Sequence, residues 1–363
     1  MTMRMLHVTE SFAPGGIETT FLQMLRQFRV EEPSIEHHVF AFAGGPLEAA
    51  YREAAHTVTI GSGRQTIERQ LSTPYDLAYI LFERCAYRLL PELVARSAMP
   101  VVYGKGYDMG GMYRLNEGLQ WRAEEAMLAA CDGATFTTAR LALGYDQLAR
   151  HTTILGKAAD VARFSTIPDP DPATPARIVC VANLHPRKRL GDLVQALARV
   201  RPHVPDAELR LVGGGNAAEA ERLRALAESL GVSDAMALTG TLADVAPEIA
   251  AARVIALPSS CEGAPTALLE GMAAGRPVVA SAVGHVATIV GDGVEGFLVG
   301  VGDVPALADR LTQLLTDPAL AARMGEAARA RSDEHDVRVV ARRSLQTLEA
   351  TCAAGPYWRA VDA

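Results

Sequence analysis

Lysine is almost missing from this sequence: Lys105, Lys157 and Lys188 are the only three in 363 residues, among 35 lysines and arginines. If the bias reflects a GC-rich genome, neutral surface lysines would have drifted to arginine, so these three are candidates for loops that face a ligand. No polybasic run or basic helix stands out. The formal charge is -7, about -2 over residues 1–163 and -5 beyond. That argues against a nucleic-acid partner and mildly against docking on anionic lipid, although a weak association with a membrane surface stays compatible with it. The five cysteines (Cys85, Cys131, Cys180, Cys261, Cys352) are scattered, odd in number and never spaced CxxC. They indicate neither a disulfide framework nor a zinc site, and a reducing cytoplasm is expected. No run approaches 18 uninterrupted apolar residues and the N-terminus lacks a signal-type apolar core, so no transmembrane segment is expected. No DxD-like acidic pair stands at a predicted strand end, so no metal is expected either.

What is present fits two domains. The length exceeds twice a typical domain, and 49% hydrophobic with 21% charged residues is ordinary for a globular protein. Short apolar runs alternate with helical patterns. Strands are predicted at Met5–Thr9, Glu36–Phe42, Thr57–Ile60, Leu77–Phe82 and Pro100–Tyr103, with helices at Ile17–Phe28, from Gly44-Gly45-Pro46 to about Ala54, and at Ala86–Arg96. This order predicts a parallel, doubly wound sheet. Two glycine loops sit at its strand ends, Ser11 to Gly16 and Gly104 to Gly111, where such folds place ligands. A proline-rich connector, Ile167 to Pro175, leads to a second series: strand Arg177–Ala182, helix Leu190–Val200, strand Leu209–Val212, helix Asn216–Leu230 and strand Met236–Leu238.

The most informative stretch is Pro258 to Gly284. The apolar run Val254–Leu257 before it reads as a buried parallel strand. Thr266 to Ala274 reads as a helix that closes on Gly275, with Pro265 at its first position and no side-chain cap at Gly263-Ala264. Its free amides need a partner, and a phosphate is the natural one. Glu262 and Glu270 bracket this turn. Each taken alone would be a solvated or helix-favouring acid.

The spacing as a whole resembles the signature of the retaining, nucleotide-sugar-dependent glycosyltransferases of family 4: Pro258-Ser259, Glu262-Gly263, Pro265, Leu269-Glu270, Met272-Ala273, Gly275 and Pro277-Val278-Val279. The resemblance covers most of Arg177 to Arg331 and, more thinly, the N-terminal half. It implies an α/β protein of GT-B architecture, two Rossmann-like domains with doubly wound parallel sheets facing across a cleft. The expected division is 1–165 for the acceptor and 176–339 for the donor, with a last helix (about 340–363) crossing back onto the first.

The resemblance also implies site residues. Glu262 would position the sugar, Glu270 would take ribose hydroxyls, and Lys188 would hold the diphosphate with Arg187 or Arg189 as second cation. Gly263, Ala264, Pro265 and Thr266 would face the phosphates at the helix start. The backbone at Leu242 would receive the base, and Gly16 would let the backbone approach the donor. In three places the chain departs from the family. Lys105-Gly106 replaces a His-Gly whose histidine lies near the transferred sugar, which makes Lys105 a catalytic candidate there and leaves the acceptor side unexplained. Lys157-Ala158-Ala159 replaces Asn-Gly-Val, and His285 replaces the second glycine after Gly284. The implied activity is transfer of a hexose from a nucleoside-diphosphate sugar, with uridine as the expected base, to a sugar or other small soluble acceptor. The donor is a substrate, and no cofactor is implied. A catalytically silent nucleotide-sugar-binding protein that partners a transferase is the alternative.

Overall fold

The computed structural model describes residues 2–356 except 14, 82–84, 86–87, 90–98, 106–124, 127, 144–147, 171–174 and 264. The chain divides into two compact units, Met1–Ala158 with Val337–Ala363, and Ala159–Asp336.

In the first unit the described strands are β1 (Arg4–Thr9), β2 (Glu36–Ala41), β3 (Thr57–Ile60), β4 (Leu77–Ile80), β5 (Val101–Lys105), β6 (Gly133–Phe136) and β7 (His151–Ile154). They form one parallel sheet in the order β3-β2-β1-β4-β5-β6-β7. Helix α1 (Gly16–Glu31) buries Phe21, Leu25 and Phe28, an i, i+4, i+7 stripe that gives one apolar face. Each of those side chains contributes about 2 kcal/mol of burial before conformational entropy is subtracted. Two further helices, α2 (Glu48–Ala54) and α3 (Arg64–Leu71), follow β2 and β3, and α4 (Ala139–Ala142) follows β6.

In the second unit, β8 (Arg177–Val181), β9 (Glu208–Val212), β10 (Met236–Gly240), β11 (Val254–Leu257), β12 (Val278–Ser281) and β13 (Gly296–Val299) form a parallel sheet in the order β10-β9-β8-β11-β12-β13. β11 is buried along its whole length, as an apolar run without alternation should be. The helices are α5 (Val161–Ser165), α6 (Leu190–Val200), α7 (Ala217–Ser229), α8 (Ala246–Ala250), α9 (Thr266–Ala273), α10 (Val286–Ile289), α11 (Val304–Thr316) and α12 (Pro318–Ser332). The last helix, α13 (Val337–Ala354), returns to the first unit and lies on α1 through Val340, Ala341, Leu345 and Leu348.

Several sequence expectations shift. Val161–Ser165, placed before the boundary at 165, belongs to the second unit: Asp160 Oδ1 caps it by accepting from Arg163 N, and Phe164 is buried in the second core against α9. The strand after Pro100 runs on through Gly104 and Lys105, because these two residues pair with Thr135 and Phe136 of β6. Helix α3 and strand β7 were not foreseen. The expected helix at Ala86–Arg96 and the loop Gly106–Gly111 lie largely or wholly outside the described residues. No described helix is long and apolar enough to cross a membrane.

Candidate functional site

In the second sheet β8 lies between β9 and β11, so the winding reverses at β8 and the loops leaving β8 and β11 emerge side by side. The β8 loop ends in a 3-10 turn, Pro186–Lys188, and then Arg189 takes a left-handed conformation (φ 50°) to enter α6. The β11 loop runs from Pro258 to Pro265. Two hydrogen bonds join them: Ser260 N donates to Arg187 O at 2.8 Å, and Ser260 Oγ donates to the same oxygen at 3.1 Å.

This stitching sets Lys188 beside Glu262, with Nζ 2.5 Å from Oε1. Ser259 Oγ donates to the same carboxylate oxygen at 2.5 Å. The pair is largely enclosed, with 13% of the lysine side chain and 7% of the glutamate side chain exposed. An enclosed ion pair is retained only if its remaining donors and acceptors find partners, and Ser259 is one such partner. Ser259 belongs to the sequence motif, which by itself gives it no role. Its place three residues before Glu262 was the available signal. Behind the pair, burial pushes the Cys180 thiol up to about 12, which leaves it inert as a nucleophile.

Helix α9 follows at once. Pro265 is its N-cap, one position earlier than the sequence suggested, and no side chain caps the helix start. Thr266 opens the helix, and Glu270 is its fifth residue and half-buried. Ala264 lies outside the described residues. The left-handed Gly275 ends the segment, its amide bonding Met272 O while Arg276 N bonds Gly271 O. Gly263 is held from the other side, its carbonyl accepting from His285 N at 3.1 Å. Gly284 (φ 51°) presses on the same loop so closely that a Cβ would sit 1.8 Å from Glu262 O. Only glycine fits there.

The flanking cations differ in their commitments. Arg189 is tied to Asp192 by bonds of 2.7 and 3.1 Å, which fixes it to the start of α6. Arg187 is half-buried, with its carbonyl in the loop-to-loop stitching. Leu242 is exposed in the loop after β10, two strands from β8 and so roughly 10 Å across the sheet edge. Among the described residues no group of three or more His, Cys, Asp or Glu could hold a metal ion.

The remaining predicted residues lie in the first unit. Lys105 ends β5 and is 3% exposed. It shares the lining of a cavity of about 70 Å³ with Lys157, Thr135, Thr137 and Phe21, at the carboxyl ends of β5, β6 and β7. Lys157 Nζ donates to Gly16 O at 3.1 Å, so this lysine ties down the first turn of α1. A Cβ at Gly16 would meet nothing within 4 Å, and the space beside it is open. Burial raises the carboxyl pKa of Glu18 in that turn, and Lys157 opposes the shift.

Residues 175–317 match the family described as Glycosyl transferases group 1. The chain is 29% identical, over 90% of its own length and 92% of the other, to the GDP-mannose-dependent alpha-(1-6)-phosphatidylinositol monomannoside mannosyltransferase of Mycobacterium tuberculosis. A protein of the same description from Mycolicibacterium smegmatis is 37% identical over 48% of this chain, and the match spans only half of that relative. Among solved structures, HepE of Anabaena in complex with UDP superposes with a TM-score of 0.84 at 20% identity, covering 96% of this chain and all of that one. Residues 175–317 are therefore a group 1 glycosyl transferase domain, carried in a chain whose two parallel-sheet units match the GT-B glycosyltransferase fold.

Proposed function

We propose that this chain transfers a sugar from a nucleoside-diphosphate sugar to a hydroxyl-bearing acceptor, with retention of configuration and without a metal ion. The observation that carries the reading is the Lys188–Glu262 pair, held where the β8 and β11 loops meet and next to the uncapped start of α9. As the glycosidic bond breaks, negative charge builds on the departing diphosphate. A fixed ammonium and a helix start aimed at that charge lower the barrier without reorganising. Lys188 has three N–H donors and spends one on Glu262, so the others serve phosphate oxygens. Both short bonds to Glu262 fall on Oε1, and in this reading Oε2 accepts from a sugar hydroxyl. Glu270 takes the ribose hydroxyls, and the backbone near Leu242 takes the base. Because the departing phosphate can serve as base on the same face, no carboxylate is required as nucleophile. Lys105 is kept as a catalytic candidate in place of the family histidine, and the acceptor is a sugar or other small molecule.

Uridine is the first assignment for the base. A second reading has one specific support: the relative matched over 90% of this chain is named GDP-mannose-dependent and acts on a phosphatidylinositol mannoside. Melting curves with UDP, GDP, UDP-glucose and GDP-mannose separate the two. A donor at 100 times its Kd stabilises by about 2.7 kcal/mol. Stabilisation by uridine compounds alone supports the first reading, and stabilisation by GDP-mannose alone replaces it with the second. No shift with any nucleotide, together with no transfer from radiolabelled donor, would sink the proposal. Binding without transfer would leave a silent nucleotide-sugar-binding protein.

A further inference from the structure

His285 stands where the family pattern has a second glycine after Gly284, and its ring contacts Thr288 and His335. Its amide donates to Gly263 O at 3.1 Å, directly behind Glu262. Its Nδ1 lies 2.5 Å from Thr288 Oγ1, and its Nε2 is buried with no hydrogen-bond partner. The ring meets His335 edge-on, with centroids 6.0 Å apart. His335 is buried, and its carbonyl accepts from Ala159 N at 2.9 Å. The next residue, Asp336, accepts from Ala162 N at 3.2 Å. Residues 159 and 336 are the two points at which the chain enters and leaves the second unit.

We propose that His285 is a positioning residue, linking the Glu262 loop to the His335–Asp336 crossover so that the carboxylate is held in register for turnover. Given the transferase reading, on which this rests, the link runs through four contacts: Glu262 to Gly284, Gly263 to His285, His285 to His335, and His335 to Ala159. The surroundings suit a neutral ring. The titratable and charged groups facing it are His335 and Arg331, and the Arg331 Nη2 donates to Thr288 O at 3.1 Å while its Nη1 pairs with Glu334. Burial first, then His335 and Arg331, lower the His285 pKa to about 4, so the ring packs uncharged at neutral pH. A glycine at 285 would keep the backbone bond to Gly263 and lose the ring that reaches His335.

A double-mutant cycle of His285→Ala and His335→Ala tests this, with His285→Phe as a variant that keeps an aromatic edge. Steady-state kcat, affinity for free UDP and GDP, and melting temperature are measured for each. Each single alanine variant is expected to lower kcat on the order of tenfold while nucleotide affinity stays within about twofold. The double variant should be no slower than the slower single, and His285→Phe should recover most of the loss. Independent multiplicative losses, or nucleotide affinity falling in step with kcat, would overturn the link. Hydrogen exchange gives a readout that does not need catalysis. His335→Ala should raise exchange at residues 263–270, and unchanged exchange there would also overturn it. If no variant, wild type included, transfers sugar, the transferase reading fails while the exchange result still decides the link.

Discussion

His7 Nε2 lies 2.9 Å from His37 Nδ1 in the core of the first unit, on neighbouring strands β1 and β2 and between Phe21, Phe28 and Tyr79. One ring can donate to the other only while at least one of them is neutral. Burial, reinforced by the nearby His56, Arg29 and His38, lowers the His37 pKa to about 3, and burial lowers His7 well below its ordinary value. Because the folded pKa values lie below the unfolded value near 6.5, the unfolded chain takes up protons first as the solution is acidified. The stability contributed by this pair is therefore present above about pH 6.5 and is lost progressively below it. For His37 alone the loss between pH 7 and pH 5 is about 2 kcal/mol, and His7 adds in the same direction. Urea unfolding at the two pH values checks this. His37→Phe should reduce the acid loss relative to wild type, and an equal loss in both proteins would remove His37 as its cause.

Glu262→Gln is expected to lower turnover while leaving nucleotide affinity unchanged or slightly improved. A sugar-orienting carboxylate contributes in the transition state more than to nucleotide binding. Losing its charge also frees Lys188 from a 2.5 Å ion pair, so the ammonium is more available to a diphosphate. Calorimetric titration of free UDP and GDP beside steady-state kinetics makes the comparison. Markedly weaker nucleotide binding would exchange the roles assigned to the two glutamates.

For Lys188→Met a loss of 10²-fold or more in kcat is expected, of the order seen when a preorganised charge partner is removed. The helix should persist, since Leu190, Leu193, Val194 and Leu197 remain buried. The melting temperature should nevertheless fall, because an enclosed Glu262 carboxylate is left with Ser259 and no cation. Lys188→Met with Glu262→Gln should recover the melting temperature and not the turnover. Lys188→Arg should restore little activity, since a planar fork does not reproduce an ammonium. Near-normal kcat in a folded Met variant would move the phosphate contact to Arg187.

Glu270→Ala should weaken binding of the free nucleoside diphosphate more than it slows the chemical step. The residue sits one turn inside α9, whose start carries no side-chain cap and holds the phosphates in the proposed function. Titration of the variant with UDP and GDP gives the answer, and unchanged affinity would remove Glu270 from the ribose.

Local pattern determined much of the second unit. Val254–Leu257 and Leu190–Val200 fall where the sequence put them, because a four-residue apolar run closed by Pro258 is too short for a helix and a 3.6-residue apolar stripe marks one. The edge strand His151–Ile154 was not legible: it is short, polar and half-buried, so its pairing with β6 rather than its composition makes it a strand. The helix Arg64–Leu71 was missed for a related reason, since its sequence RQTIERQL offers few apolar positions to set a period. Lys105 looked like a loop residue after a glycine, but pairing with β6 carries the strand through both. The motif around Glu262 predicted a turn into an uncapped helix start, which is what the structure has, and the identity of Lys188 was visible on its own. That the two touch was not, because they lie 74 residues apart and meet only where β8 and β11 become neighbours in the sheet. The same holds for His285 and His335. Sequence spacing specifies what a residue can do, while strand order decides which charges share one enclosed space, since a 2.5 Å contact depends on register summed over the whole sheet.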